Sequence, residues 1–218
     1  SRMSENAFQL LTGYQLQVFL RLDDVNPYIE DGLTHNTASK YLLYNDPLIG
    51  TFDSVVQKDT VEKFGKTAEL LGELPKESPF FYLMETARNL CLVLEKKADL
   101  GREIRLAYSQ EDKETLQEIA NIKIPVLLQR LQELYQTFRP QWKLDNNCFG
   151  FEVQTVRSGG LSQRRKDGQE ILNAYLREEI SGIAELNEPQ KAFHYFEQNE
   201  IRSLNYNLWT DIVSPSKI

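Results

Sequence analysis

The feature that most constrains the fold of this 218-residue chain is a series of long segments in which apolar residues recur every three or four positions. That period is typical of amphipathic α-helices. The first long segment begins at Asp59 and Glu62, which have capping-box spacing, and ends before Pro75. Its apolar stripe consists of Val61, Phe64, Ala68 and Leu71.

The second segment begins at Ser78 and Pro79, the pattern of an N-cap followed by a proline at the first helical position. We expect this helix to reach about Tyr108. Its stripe consists of Met84, Ala87, Cys91, Leu94 and Ala98, widened by Leu83 and Leu90.

Two further helical segments follow. One runs over residues 112–138, and Pro125 is expected to kink it because proline has no backbone N–H to donate. The other runs over residues 151–186 and contains Gly159-Gly160, which indicates either a helix break or a close helix crossing.

The flanking regions contain shorter patterns. Residues 4–22 predict two short helices that meet at Thr12-Gly13, and residues 23–36 predict a loop. Residues 40–50 predict a short extended piece that enters a helical turn, because Asp46 precedes a proline. The aromatic tail, residues 187–218, is expected to pack along the helices.

Short connections between long amphipathic helices favour antiparallel neighbours. We therefore predict an all-α fold: an up-and-down bundle of three to four long helices over residues 54–218, with short N-terminal helices and a packed aromatic C-terminal tail.

Charge and apolar patterning exclude several classes of partner. The 25 basic and 32 acidic residues leave a formal charge of -7, which disfavours nucleic acid and anionic membranes. No apolar run approaches the roughly 20 residues that cross a bilayer, and the first residues lack a secretory pattern. We expect a cytoplasmic location, or a cell-associated one if a parent protein is exported. The opening Ser1-Arg2-Met3 suggests a cloning remnant or an internal junction.

The chain offers little material for catalysis. His35 and His194 have no neighbouring ligand at metal-binding spacing, and Gly159-Gly160 lacks the pattern of a phosphate-binding loop. The two cysteines, Cys91 and Cys148, are interpreted as structural. Acidic pairs are interpreted as solvated helix faces. We predict no catalytic residue, no metal and no cofactor.

Two groups remain candidates for binding. Arg157 and Arg164 fall on one helix face, where they require carboxylates of a neighbouring helix, a ligand or another domain. The second group has the aromatic and hydrogen-bonding side chains that hold sugars, although core packing and turn formation explain the same residues. Its members are Tyr41, Tyr44, Asn45, Asp46 and Trp142.

Three stretches of the sequence carry a resemblance to a known family: KYLLYNDPLIGTFD (40–53), ETARNLCLVLEKKADLG (85–101) and FGFEVQTVRSGGL (149–161). In this order they resemble the C-terminal helical domain of bacterial β-N-acetylhexosaminidases of glycoside hydrolase family 20, the streptococcal N-acetylglucosaminidase type. The likeness extends over nearly the whole chain.

The resemblance implies a preceding α/β segment and a catalytic barrel, in which an adjacent Asp-Glu pair hydrolyses terminal N-acetylhexosamine with help from the substrate. The His-x-Gly-x-Asp-Glu context of that pair is absent from this sequence, so no catalytic residue is carried over. Residues 1–53 would form the junction with the barrel. The implied partners are the barrel, a second copy of the chain and, through the parent enzyme, a glycan.

The leading hypothesis is therefore a noncatalytic accessory domain that supports the barrel and takes part in dimerisation. One alternative is a self-standing helical module that binds a peptide or a partner helix in a groove. Another is a carbohydrate-binding module centred on Tyr44 and Trp142.

We predict that purified residues 1–218 do not hydrolyse a chromogenic N-acetylglucosaminide, because no paired acid and base were found in the sequence. Release of the chromophore is the measurement. Turnover that a point substitution within this chain abolishes would contradict the prediction.

Overall fold

The structure is a computed structural model that describes residues 2–20, 42–53 and 56–190. The loop predicted at 23–36, with His35, and also Tyr41, His194 and most of the aromatic tail lie outside these residues. Within them the secondary structure is helical and contains no strand, which confirms the predicted all-α class. No helix of this part of the chain combines the length and the apolar character needed to span a membrane.

The helices are numbered here in chain order. The first three are α1 (Arg2–Thr12), α2 (Leu16–Leu20) and α3 (Thr60–Gly72). The central ones are α4 (Phe81–Lys97), α5 (Leu100–Ser109), α6 (Lys113–Glu118), a π-helix (Ile119–Lys123) and α7 (Ile124–Asp145). The last two are α8 (Phe151–Leu176) and α9 (Ala184–Asn187).

The predicted corner between two N-terminal helices is confirmed. Gly13 separates α1 from α2 with a φ of 75°, a left-handed conformation that glycine adopts without steric cost. The Tyr14 hydroxyl donates to the carbonyl of Pro75 at 3.1 Å, and the Ser78 hydroxyl donates to the carbonyl of Thr12. These bonds hold the α1–α2 corner on the connection between α3 and α4.

Both predicted N-caps differ in detail from the structure. Helix α3 begins after Asp59, but the Asp59 carboxylate makes no capping bond and instead pairs with Lys63 at 3.0 Å. Helix α4 begins at Phe81, two residues later than expected, and Ser78 Oγ accepts from the backbone N–H of Phe80.

The second predicted helix is divided at residues 98–99 into α4 and α5. Both parts nevertheless face the same antiparallel helical run. Tyr82 donates to Asp145 at 2.6 Å near one end, and Lys123 donates to Glu103 at 3.0 Å near the other. The break lies where residues 42–53 cross: a Cβ on Gly101 would stand 3.1 Å from the carbonyl oxygen of Pro47.

The third predicted helix extends further than expected, from α6 to the end of α7. Instead of a simple kink, a π-helical turn precedes Pro125. In π spacing the carbonyl of Ala120 faces Pro125, which has no N–H. The Gln169 side chain supplies the missing donor to this carbonyl at 2.7 Å, so the irregular turn is satisfied by α8.

The fourth predicted helix was too long. It ends at Leu176, and Glu178 follows with a φ of 62° before the short helix α9. Within the described residues Gly159-Gly160 is neither a helix break nor a close crossing with another described helix. Helix α8 runs through the pair without a break, and a Cβ on either glycine would meet nothing within 4 Å.

The long helices form an up-and-down array in which each packs mainly against its neighbour in the chain: α3 on α4, α4 on α7, and α7 on α8. The Tyr135–Thr155 bond of 3.0 Å and the Lys113–Glu178 bond of 2.7 Å set the antiparallel register of the last pair. Residues 42–53 fill the space between the α4–α5 run and α8.

We predict opposite effects for alanine at two helical glycines. Gly101→Ala would bring its Cβ to 2.9 Å from Asp53 Oδ1 and should destabilise the fold by about 1–3 kcal/mol. Gly160→Ala, in open space, should stabilise it by up to about 1 kcal/mol because alanine is the better helix former. Chemical denaturation measures both, and a destabilised Gly160→Ala would show that the pair has a packing role in this chain.

Candidate functional site

Asp46 is the centre of a buried ion cluster. Its Oδ1 accepts the backbone N–H groups of Leu48 and Ile49 at 2.9 and 3.2 Å, which shapes the turn after Pro47. Its Oδ2 accepts from Arg164 Nε at 2.6 Å and lies 3.4 Å from Arg165 Nη2. One carboxylate thus joins the 42–53 segment to two successive residues of α8.

A second polar group holds the same segment to itself and to the end of the described chain. Asn45 donates from Nδ2 to Asp53 Oδ1 at 2.9 Å and accepts the backbone N–H of Phe52 at 3.1 Å. Gln190 donates to Asp53 Oδ2 at 3.1 Å and to the carbonyl of Gly50 at 2.7 Å. The segment is therefore a closed turn with fixed side chains.

Two basic side chains of the α4–α5 run bind backbone carbonyls of this segment. Lys97 Nζ donates to the carbonyls of Leu42 and Asn45 at 2.7 and 2.5 Å, and Arg105 donates to the carbonyl of Leu48 at 2.8 Å. Lys97 is only 3% exposed, so these carbonyls replace its hydration.

Burial and pairing act in opposite directions on the pKa values of the cluster. Burial raises the pKa of Asp53 even though Asn45 donates to it. For Asp46 the same burial is outweighed by the Arg164 hydrogen bond and the Arg165 charge, and its pKa lies below the ordinary value. Burial lowers the pKa of Lys97 well below its usual range and that of Arg165 to about 10. Arg165 therefore stays charged at neutral pH and needs Asp46.

A groove of about 550 Å³ opens beside this cluster. Helices α4 and α8 form its walls, α7 lies between them, and Leu43 and Tyr44 contribute from the 42–53 segment. Two predicted site residues, Tyr44 and Arg157, line it. Burial raises the pKa of the Tyr44 hydroxyl, and the positive charge of Arg157 partly opposes the shift.

Trp142 lies elsewhere. It packs on Phe138 and Phe151 with ring centroids 6.0 and 5.9 Å apart, and its indole N–H donates to the carbonyl of Asn147 at 3.2 Å. The five predicted site residues are therefore distributed over three places: Tyr44 and Arg157 in the groove, Asn45 and Asp46 in the ion cluster, and Trp142 in an aromatic cluster. Their contact with a ligand or another domain stays a prediction.

Sequence reasoning missed two members of the ion cluster, although a signal was present. Arg165 follows Leu161 by four positions and precedes Leu172 by seven, which places it on the apolar stripe of α8. Lys97 continues the stripe of Val93 and Leu94 in the same way. A charge on a buried helix face marks a residue that must be paired.

Other chemistry has little support in the described part of the chain, where no group of side chains has the composition of a metal site. Cys91 is a free thiol in the core, where burial raises its pKa to about 12, and Cys148 is free and exposed at the α7–α8 connection. The structural interpretation thus fits Cys91. Cys148 is accessible to reagents.

Comparison with known proteins adds one match. The family model described as the Glycoside Hydrolase 20C C-terminal domain matches residues 17–205, which is most of the chain. No curated protein matches.

We predict that Asp46→Asn destabilises the fold at neutral pH by about 3–5 kcal/mol, because it leaves the Arg165 charge buried without its carboxylate. The pKa of Asp46 is lower when folded, so its contribution is complete above about pH 4 and is lost as pH falls through the folded value. Urea unfolding of both proteins at several pH values measures the difference.

Asp59→Asn is the matched control, since Asp59 pairs with Lys63 on the exposed surface. It should change stability little. Equal effects of the two substitutions would show that the buried cluster adds nothing to stability.

Proposed function

The chain belongs to the Glycoside Hydrolase 20C C-terminal domain family, and from this premise we propose that it supports the catalytic barrel of a β-N-acetylhexosaminidase and contributes to a dimer. Family membership makes it an accessory domain of such an enzyme, with a catalytic domain in the same polypeptide. The proposal concerns what the helical domain does there.

The observation that carries the proposal is a group of large apolar side chains left exposed at one end of the helical array. Leu10 and Leu11 of α1 are 87% and 73% exposed. Leu144, near the end of α7, and Phe149, just before α8, are 69% and 82% exposed. Contiguous exposed apolar side chains are typical of surfaces that another protein or domain covers.

Hydrogen bonds place these side chains at the same end. Ser78 donates to the carbonyl of Thr12 and so ties the end of α1 to the α3–α4 connection. Tyr82, four residues further along the chain, donates to Asp145 beside the α7–α8 connection. Leu10, Leu11, Leu144 and Phe149 therefore form what we term the apolar end.

The position of α1 indicates which partner covers the apolar end. The matched family region begins at residue 17, so α1 precedes it on the side from which a C-terminal domain is joined to its enzyme. A catalytic barrel placed there would cover α1 and the α7–α8 connection together. This arrangement corresponds to the support role that the sequence suggested.

The outer face of α8 supports the dimer part of the proposal. Val153 and Val156 are 44% and 69% exposed, and Gly159 and Gly160 follow them on the helix with open space around both. Small residues allow a second backbone to approach closely. Light scattering on the complete enzyme tests the proposed dimerisation. A strictly monomeric enzyme would overturn the dimer and leave the proposed barrel support unaffected.

Of the two alternatives, the carbohydrate-binding module has less support. A sugar platform required Tyr44 and Trp142 to face one ligand, and they lie in different clusters. The exposed surface of the groove is more apolar than polar, whereas sugars need many hydrogen-bonding groups.

The exposed thiol of Cys148, next to Phe149, provides the test of barrel support. In the isolated chain an alkylating reagent should modify Cys148 readily, while buried Cys91 stays protected. In the polypeptide that includes the catalytic domain, we expect the modification rate of Cys148 to fall at least about tenfold because the barrel covers the apolar end. Mass spectrometry of the peptide containing Cys148 measures the rate.

Ser181→Cys is the control, because Ser181 is exposed beyond the opposite end of α8. Its modification rate should be the same in both proteins. If Cys148 also reacts equally in both, the apolar end does not contact the barrel and the proposed support role is wrong.

A further inference from the structure

The groove continues a space between two helices that residues 42–53 of the same chain partly fill. Helices α4 and α8 stand on either side of α7. Toward Lys97 and Arg164 the space between them is occupied by residues 42–53. Toward the apolar end none of the described residues fills this space, which forms the groove, with Tyr44 at the junction of the two halves.

The lining shows what kind of occupant the groove accepts. Its surface is mostly apolar and is formed by Leu83, Leu90, Leu131, Leu134, Phe138 and Leu161. Hydrogen-bonding side chains also line it, among them Tyr44, Thr86, Gln154, Arg157 and Ser158. On its α7 side, Gln141 Oε1 is buried and has no hydrogen-bond partner among the described residues. The groove therefore fits an apolar helix face that also brings a hydrogen-bond donor.

The size of the groove sets the length of that helix. Its α7 side extends from Leu131 to Gln141, which at 1.5 Å per residue is about 15 Å. An occupant of about three helical turns fills it.

We propose that residues 201–212 of this same chain bind in the groove as a short amphipathic helix. Ile201, Leu204, Leu208 and Ile212 recur at intervals of three, four and four, which places them on one narrow stripe. Asn205 lies at the edge of that stripe and offers an amide donor to Gln141. Twelve helical residues span about 18 Å, which matches the groove.

The described chain ends close enough for this connection. Gln190 donates to Asp53, and Asp53 accepts from Asn45, the neighbour of Tyr44. Residue 190 is thus held on the segment that closes the inner end of the groove. The ten residues 191–200 reach up to about 35 Å, more than the groove requires.

A disulfide between the two elements tests the proposal in the full chain, with Cys148→Ser to remove the exposed thiol. Ser158 lines the groove, so Ser158→Cys with Leu208→Cys should form an intramolecular disulfide under mild oxidation. Gly159→Cys with Leu208→Cys is the matched control, because the next position of α8 points into open space. Gel mobility without reductant and peptide mapping identify the bond.

Hydrogen exchange provides a second test that needs no new thiol. Leu208→Asp should speed exchange in the groove peptides 131–141 and 154–161 about tenfold, the shift expected from losing the burial of one leucine. Thr210→Asp introduces the same charge on the helix face opposite the stripe and should leave exchange unchanged.

Three results would overturn the proposal. Equal cross-linking through positions 158 and 159 would mean that the tail does not select the groove. A disulfide found only between two copies would assign the groove to a second chain. If hydrogen exchange of the groove peptides stays slow in Leu208→Asp, something other than residues 201–212 covers the groove. Since none of these measurements depends on the reactivity of Cys148 or on the presence of the barrel, their failure is separate from that of the proposed support role.

Discussion

The contact between Asp46 and the paired guanidinium groups of Arg164 and Arg165 is the constraint on which the remaining architecture depends. Helices α3, α4, α7 and α8 each pack on a neighbour, and such an array leaves the outer helices without a common core. The 42–53 segment fills that space, and it stays there because its carboxylate and carbonyl groups accept hydrogen bonds from basic side chains of α4, α5 and α8. Buried charges are costly unless paired, so the segment and the helices specify each other's positions.

This arrangement separates the surfaces available for interaction. The ion cluster is inside, and its polar atoms are largely engaged by the protein itself. The groove remains where the segment stops, beside Tyr44. The apolar end lies beyond it, where α1 and the α7–α8 connection expose Leu11 and Phe149. Among the described residues, this design has a hydrogen-bonded polar centre and two exposed apolar surfaces, as expected of a part that works within a larger enzyme.

Sequence periodicity predicted the helical class and the order of the long helices well, since a stripe repeating at 3.6 residues can be buried only by a helix. The periodicity predicted the ends of two helices wrongly. The second helix breaks at residues 98–99 because the 42–53 segment crosses there, close to Gly101. The fourth ends at Leu176, although Ile180 and Ile183 continue its apolar pattern. The candidate site was also only partly anticipated. Asp46 and Arg164 were singled out on separate grounds, and Lys97 and Arg165 were overlooked.

The amino-acid sequence by itself determined the helical stripes, the position of the Gly13 corner and the presence of a helix irregularity at Pro125, because each follows from local stereochemistry. It also carried the family resemblance, which lies in three stretches of sequence. Only the tertiary structure decided that Asp46 contacts Arg164 and Arg165, which follow it by 118 and 119 positions in the chain. It also decided that Tyr44 and Trp142 lie in different clusters. The physical reason is that pairing a buried charge depends on distance in space, and a stripe pattern records the face of a helix but not its partner.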